Sequence, residues 1–187
     1  MTALETLNVP HVAKLRVRDF LLLHESGAFA DYAKSELIEG NILVMNAAFS
    51  SHGKVQAELA FQLRLALQAG GLNARIYTAT SVELSDDSLP EPDIVVAADH
   101  AGGPLPHNKV LLLVEVADST LKGDLGRKAG LYARTGIAEY WVADIEGRRI
   151  VRLWEPGERG YARRADTPFG ETVESITLAV SVETAAL

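Results

Sequence analysis

The chain has 187 residues, 48% hydrophobic and 23% charged, and 25 acidic against 18 basic side chains give a net charge of −7. A single domain is expected over residues 1–187, with a core at about 17–165 and short extensions at both ends, because one domain usually spans roughly 100–200 residues. Cysteine is absent, which excludes disulfides, zinc–thiolate sites, iron–sulfur clusters and a thiol nucleophile. No run approaches the ~18 apolar residues of a membrane span, and the opening Met1-Thr-Ala-Leu-Glu-Thr lacks the basic-then-apolar order of a signal peptide. A soluble cytoplasmic protein with no membrane partner is therefore expected.

Val17 to His24 reads as a short amphipathic helix that Gly27 stops. Ser35-Glu-Leu-Ile-Glu, a turn at Gly40-Asn41 and Ile42-Leu-Val-Met then have the pattern of a hairpin. Ser50-Ser51 offers an N-cap to a long helix in which Val55, Leu59, Leu63 and Leu67 recur every fourth residue until Gly70-Gly71. Short strands follow at Ala74–Tyr77, Val82–Leu84 and Ile94–Ala98. After a loop at residues 100–107, Val110–Val116 is apolar on both faces, as a central strand covered on both sides would be. Lys122–Arg134 is helical in composition, with Gly136 placed to end it. Glu139–Asp144 is a strand, and Arg149–Trp154 with Tyr161–Arg164 makes a hairpin around Pro156-Gly157. The order predicts an α/β (α+β) fold: a mixed sheet flanked by helices, with additional hairpins.

Charge is unevenly spread. Residues 1–121 carry a net −7, residues 122–164 carry ten basic and six acidic side chains, and residues 165–187 carry a net −4. A basic segment within an acidic chain makes a local phosphate-attracting face if its charges are free, and a solvated strand face if they alternate with acids.

Two carboxylates stand out. Glu115 shares a strand face with Leu111, Leu113 and Ala117 near the end of a buried run, where an ionised carboxylate needs a partner or a metal. Asp93, in Pro90-Glu-Pro-Asp-Ile-Val-Val, stands at the entrance of a second apolar strand, where the prolines keep the approach extended. If the strands are neighbours, the two acids converge. Bare carboxylates about 4 Å apart would repel by roughly 4 kcal/mol at an effective dielectric of 20. A divalent cation reverses that sign, and all-oxygen ligation suits magnesium or manganese. The alternative is that Asp93 caps a turn while Glu115 pairs with a basic side chain. Lys128, in the following helix, is a third candidate, with a surface i,i+4 pair to Asp124 as its alternative role.

Pro92-Asp93 before an apolar strand, followed by Glu115-X-Ala117, resembles the PD-(D/E)XK motif of restriction-endonuclease-like nucleases. Glu36-Leu-Ile-Glu-Gly40, Ser51-His52, Val114-Glu-Val-Ala-Asp-Ser-Thr120, Asp124-X-X-X-Lys128-X-X-X-Tyr132 and Gly136-Ile-Ala-Glu-Tyr-Trp-Val-Ala-Asp144 extend the match over about residues 17–165. This string resembles the Uma family, a domain of unknown function placed with the restriction endonucleases. The resemblance implies a restriction-endonuclease-like mixed sheet and magnesium- or manganese-dependent hydrolysis of nucleic acid, DNA in the first instance. It assigns Asp93 and Glu115 to the metal and Lys128 to catalysis. His52, at the first turn of the long helix, and Glu36, on the first hairpin, are secondary catalytic candidates. Ala117 stands where the motif has lysine, and Lys128 is expected to supply that charge from the helix.

Two other classes compete. A nuclease-fold module that only binds nucleic acid or protein accords with Ala117 and the net acidity. A phosphate or nucleotide binder built on Gly123-Asp-Leu-Gly-Arg-Lys-Ala-Gly130 lacks the phosphate-loop consensus, and its glycines more simply permit close helix packing. No Gly-x-Ser-x-Gly elbow or His-Glu-x-x-His motif occurs. Leu131, Tyr132, Tyr140, Trp141 and Trp154 are expected in the core or at a subunit contact, with Trp141 the anchor of an expected homodimer.

Overall fold

The structure, a computed structural model, describes residues 12–187. Helix α1 (Val17–Glu25) begins where Asp19 Oδ2 accepts the Arg16 backbone N–H at 3.0 Å. It buries Val17 and Phe20 against Leu37 and Leu89. Strands β1 (Lys34–Ile38) and β2 (Asn41–Met45) form the expected hairpin, but its turn is Glu39-Gly40 rather than Gly40-Asn41. Both turn residues have positive φ, 49° and 73°, as the tight turn matching strand twist requires. The Asn41 side chain instead donates to the carbonyls of Ile38 and Glu39 and braces the turn from the following position. A Cβ on Gly40 would meet Lys14 Cβ at 2.7 Å, so the preceding chain also needs glycine here.

Helix α2 (Ser50–Ala69) turns Val55, Leu59, Leu63 and Leu67 into the core, as their fourfold spacing demands. Its N-cap is Phe49 without a side-chain cap. The expected capping serines do not cap, and Ser51 Oγ donates to Asp118 Oδ2 at 3.3 Å.

Strands β3 (Arg75–Thr78), β5 (Ile94–Ala97), β7 (Val110–Ala117), β8 (Glu139–Asp144), β9 (Arg149–Gly157) and β10 (Gly160–Pro168) make one sheet, ordered β10-β9-β8-β7-β5-β3. Only β7 and β8 are parallel, so a crossover must join them. That crossover is helix α3: an α-turn at Leu121–Gly123, a π-helical stretch at Asp124–Lys128 and an α-helical end at Ala129–Arg134. The β9–β10 hairpin is longer than its sequence suggests, because Gly157 pairs with Gly160 and the turn falls at Glu158-Arg159. Strands β4 (Val82–Glu83) and β6 (Leu105–Pro106) form a short parallel pair beside the sheet.

The two sheet faces carry different cores. One packs Val95, Leu113 and Ala117 with Tyr132 and Tyr140, and the other packs Ile94, Val114 and Trp141 with α2. Trp141 is fully buried, and its Nε1 donates to Glu139 Oε1 at 2.7 Å. It is therefore core and no subunit anchor. The segment after residue 165 also joins the core: β11 (Val173–Ser175) and β12 (Val180–Val182) bring Val173, Val180 and Val182 against α2. Fully buried Glu139 holds them there, accepting from Ser175 Oγ, Thr177 Oγ1 and the backbone N–H groups of Ile176 and Thr177.

Candidate active site

Because β5 and β7 are antiparallel, the start of one lies beside the end of the other. Ile94 stands opposite Val114, so Asp93 leaves the sheet next to Glu115. Asp93 Oδ2 accepts from the Val116 backbone N–H at 2.8 Å. The neighbouring-strand condition set by the sequence is met, and both acids line one cleft of about 570 Å³. This is the edge at the carboxyl ends of the parallel pair, where open α/β sheets bind ligands.

Three further elements close on that edge. Helix α2 contributes His52, whose Nε2 lies 3.1 Å from Asp93 Oδ2, and Gln56, which donates to the Asp93 carbonyl at 2.7 Å. Helix α3 contributes Lys128, with Nζ 2.9 Å from Glu115 Oε1 and 3.0 Å from Glu36 Oε1. Tyr132, one turn later, donates to Glu115 Oε1 at 2.9 Å. Strand β1 contributes Glu36 and Lys34, the latter 3.5 Å from Asp93 Oδ1 and 3.6 Å from Glu36 Oε1. Glu36 also accepts the Glu91 backbone N–H at 2.9 Å, tying β1 to the Pro-Glu-Pro-Asp segment.

Asp93, Glu115, Lys128, His52 and Glu36 are thus brought together, and Lys128 makes no ion pair with Asp124. Asp124 instead accepts from Thr120 Oγ1 at 2.5 Å. Ala117 is fully buried in the core, and the ammonium beside Glu115 comes from Lys128 on the helix. Three residues of the site carry no separate mark in the sequence reading: Tyr132, Lys34 and Gln56, the last four residues after His52 and so on the same helix face. Tyr132 read as core, although it is four residues after Lys128 and so on the same helix face. Lys34 gave one signal: in Lys34-Ser-Glu36, strand alternation puts it on the Glu36 face.

Burial and charge set the electrostatics. Desolvation pushes the Glu115 carboxyl up to about 7 against the pull of Lys128. Desolvation also acts to raise Asp93, but the His52 hydrogen bond and the Lys34 charge outweigh it and hold the carboxyl below its ordinary value. His52 is raised by its hydrogen bond to Asp93. Lys34 and Lys128 lose to desolvation and gain more from the surrounding carboxylates, so both rise and stay charged.

The donors are carboxylate oxygens without sulfur, the chemistry of a hard cation. Glu36 Oε2 is buried without a hydrogen-bond partner among the described residues, an acceptor that a cation would satisfy. Among the described residues, no group of three or more His, Cys, Asp or Glu side chains is gathered closely enough to hold a metal ion by itself. A hard cation at this edge would take at most two carboxylates from the described residues and would need water or phosphate oxygens for the rest of its shell, an arrangement magnesium tolerates.

The basic segment does not form a bare phosphate-binding stripe. Arg127 and Arg134 pair with Glu39, Arg149 with Asp144 and Asp166, Arg163 with Glu155, and Arg164 with Asp166. The Glu39 pairs brace the β1–β2 turn against α3 and so keep Glu36 opposite Lys128. Close packing does not explain the glycines of residues 123–130: a Cβ at Gly123 or Gly126 would meet nothing within 4 Å, and one at Gly130 only the flexible Arg134 side chain.

The Uma2 family model, described as "Putative restriction endonuclease", matches residues 17–186. The fold is similar to the crystal structure of a "putative nuclease belonging to DUF820" from Anabaena variabilis. The TM-score is 0.66 at 15% identity, covering 88% of this chain and 91% of that one. No curated protein matches the sequence.

Proposed function

The chain belongs to the Uma2 family, and from that premise we propose that it is a metal-dependent endonuclease hydrolysing phosphodiester bonds of DNA. One observation carries the reading: an acid at the start of β5, an acid at the end of β7 and a lysine from the crossover helix meet in one cleft. Asp93 and Glu115 would hold magnesium or manganese. When bound there, such an ion acidifies a water and offsets charge gathering on phosphorus.

The chain's own groups do the positioning. His52 and the Val116 N–H fix Asp93 Oδ2, and Gln56 fixes its backbone. Lys128 and Tyr132 aim Glu115 by gripping Oε1, leaving Oε2 for a ligand. Lys128 also joins Glu115 to Glu36, so the acids are held before substrate arrives and little reorganisation remains. Water attacks phosphorus in line: the new P–O bond forms as the bond to the departing sugar oxygen breaks, the water gives up a proton to solvent and the departing oxygen takes one from solvent.

The test is cleavage of supercoiled and single-stranded DNA with magnesium or manganese by wild type, Asp93→Asn and Glu115→Gln. Cleavage lost in both variants while they remain folded is the expected result. Undiminished cleavage by Asp93→Asn overturns the reading.

A second reading, a nuclease-fold module that binds nucleic acid or protein without cutting, is favoured by the lack of a third metal-ligating side chain among the described residues. Calorimetric titration with magnesium and manganese separates the two, because the binding module takes up no metal at millimolar concentration. A homodimer belongs to either reading, and sedimentation measures it directly.

A further inference from the structure

The two lysines of the cleft differ in how far their N–H groups are committed. Lys128 makes hydrogen bonds of 2.9 and 3.0 Å to two carboxylates and carries a side chain only 13% exposed. Lys34, among the described residues, makes two ion pairs at 3.5 and 3.6 Å and no hydrogen bond. Those contacts exceed the roughly 2.7–2.9 Å of a charge-assisted hydrogen bond. Its ammonium is charged and 19% exposed, and it is held to Asp93 and Glu36 by ion pairs without a close hydrogen bond, so its N–H groups can still donate to a ligand.

Lys34 also stands on a boundary. A second cleft of about 260 Å³ shares Ala33, Lys34 and Glu91 with the first and is otherwise lined by residues such as His24, Phe29, Tyr32 and Ser35. Tyr32 is 46% exposed, and its hydroxyl makes no hydrogen bond among the described residues. Phe29 stacks on buried Phe20 with ring centroids 5.3 Å apart, and His24 leans on Phe29 at 6.3 Å, so the aromatic wall is anchored in a packed cluster. An aromatic cleft of about 260 Å³ beside an ammonium has the size to take a single base. Glu91 on the shared wall opposes a second phosphate, which leaves the interior to a neutral group.

We propose that the second cleft is a nucleotide subsite: Lys34 binds the phosphate at the boundary, and Tyr32 with the His24–Phe29 wall takes the base of the adjoining unpaired nucleotide. Bases splayed from a single strand bind by such stacking, and every base has a face to offer. The substrate class is accordingly single-stranded DNA or the unpaired strand of a junction. Lys34 contacts substrate, whereas Lys128 is a positioning residue. The proposal rests on the nuclease reading for the identity of its phosphate, but its test is independent of cleavage.

The experiment is equilibrium binding of a short fluorescein-labelled single strand and of its duplex, measured by anisotropy at low salt in EDTA. The wild type is expected to bind the single strand at least tenfold more tightly. Tyr32→Ala and Lys34→Gln should each weaken the single strand about tenfold, while Tyr32→Phe and Lys34→Arg retain most of the affinity. The Lys34→Gln variant should also lose about one unit of salt dependence, which a purely structural defect would not remove. Thermal melts establish that each variant is folded. Equal binding of single strand and duplex, or unchanged binding by folded Tyr32→Ala, overturns the subsite. Absence of cleavage by a wild type that shows this binding pattern overturns the nuclease reading and leaves the subsite standing.

Discussion

Lys128 Nζ reaches Glu115 Oε1 at 2.9 Å across the crossover between the only two parallel strands of the sheet. Both groups are almost fully sheltered, so Glu115 keeps the Lys128 ammonium charged and Lys128 opposes the desolvation that raises Glu115. Removing one partner of such a pair strands the other, at a cost of about 3–5 kcal/mol. Lys128→Met is therefore expected to destabilise the fold by that order, and Glu115→Gln/Lys128→Met by clearly less than the two single changes together. Urea unfolding in a double-mutant cycle measures this, and additivity within about 0.5 kcal/mol would show that the pair is not coupled.

Glu139 gives a different kind of prediction. One buried carboxylate receives five donors, four of them from residues 175–177. Glu139→Ala leaves those donors buried and unmatched at about 1–3 kcal/mol each where water cannot reach them. We expect a loss of about 3 kcal/mol or more, with the β11–β12 amides losing exchange protection before the rest of the sheet. Uniform loss of protection across the molecule would show that Glu139 is not a local clamp.

How much of this was legible in the sequence follows from the range of each interaction. The order of helices and strands could be read because periodicity is local: Val55, Leu59, Leu63 and Leu67 report their helix without knowledge of the rest. Asp93 and Glu115 are visible as charges in apolar runs, and Lys128 is a candidate from its place in the following helix, which the resemblance favours over a surface pair with Asp124. Lys34 was not visible in that way, since its value comes from Asp93, 59 residues away, and from the second cleft. The Glu-Tyr-Trp string was legible as a pattern but not in its physics. Glu139 turns out to anchor a C-terminal hairpin expected as a mere extension, and Trp141 to donate to it from the core. The glycines of residues 123–130 have no packing reason in this structure.

Metal binding makes a prediction that needs no substrate. A ligand present at one hundred times its dissociation constant stabilises by about 2.7 kcal/mol, which for a chain of this length is roughly 5–10 °C in Tm. Magnesium or manganese at saturation is expected to raise the Tm by that order, and EDTA to reverse it. Asp93→Asn should show almost no shift. An equal shift in wild type and Asp93→Asn would place the ion elsewhere.

The tyrosines set the alkaline limit. Tyr161 donates to the Ile137 carbonyl at 2.9 Å and packs beside Tyr140, which in turn meets Tyr132 edge-on. Burial raises all three phenols above their ordinary value. The unfolded chain then releases these protons near pH 10 while the folded chain keeps them, so the unfolded state binds fewer protons and stability falls as pH rises. Each tyrosine contributes a slope of about 1.4 kcal/mol per pH unit above 10. Tyr161→Phe removes one such proton from both states and should make the fall shallower by about that slope. Urea midpoints measured from pH 9 to 11.5 report it, and an unchanged slope in the variant would mean that Tyr161 ionises freely in the folded protein.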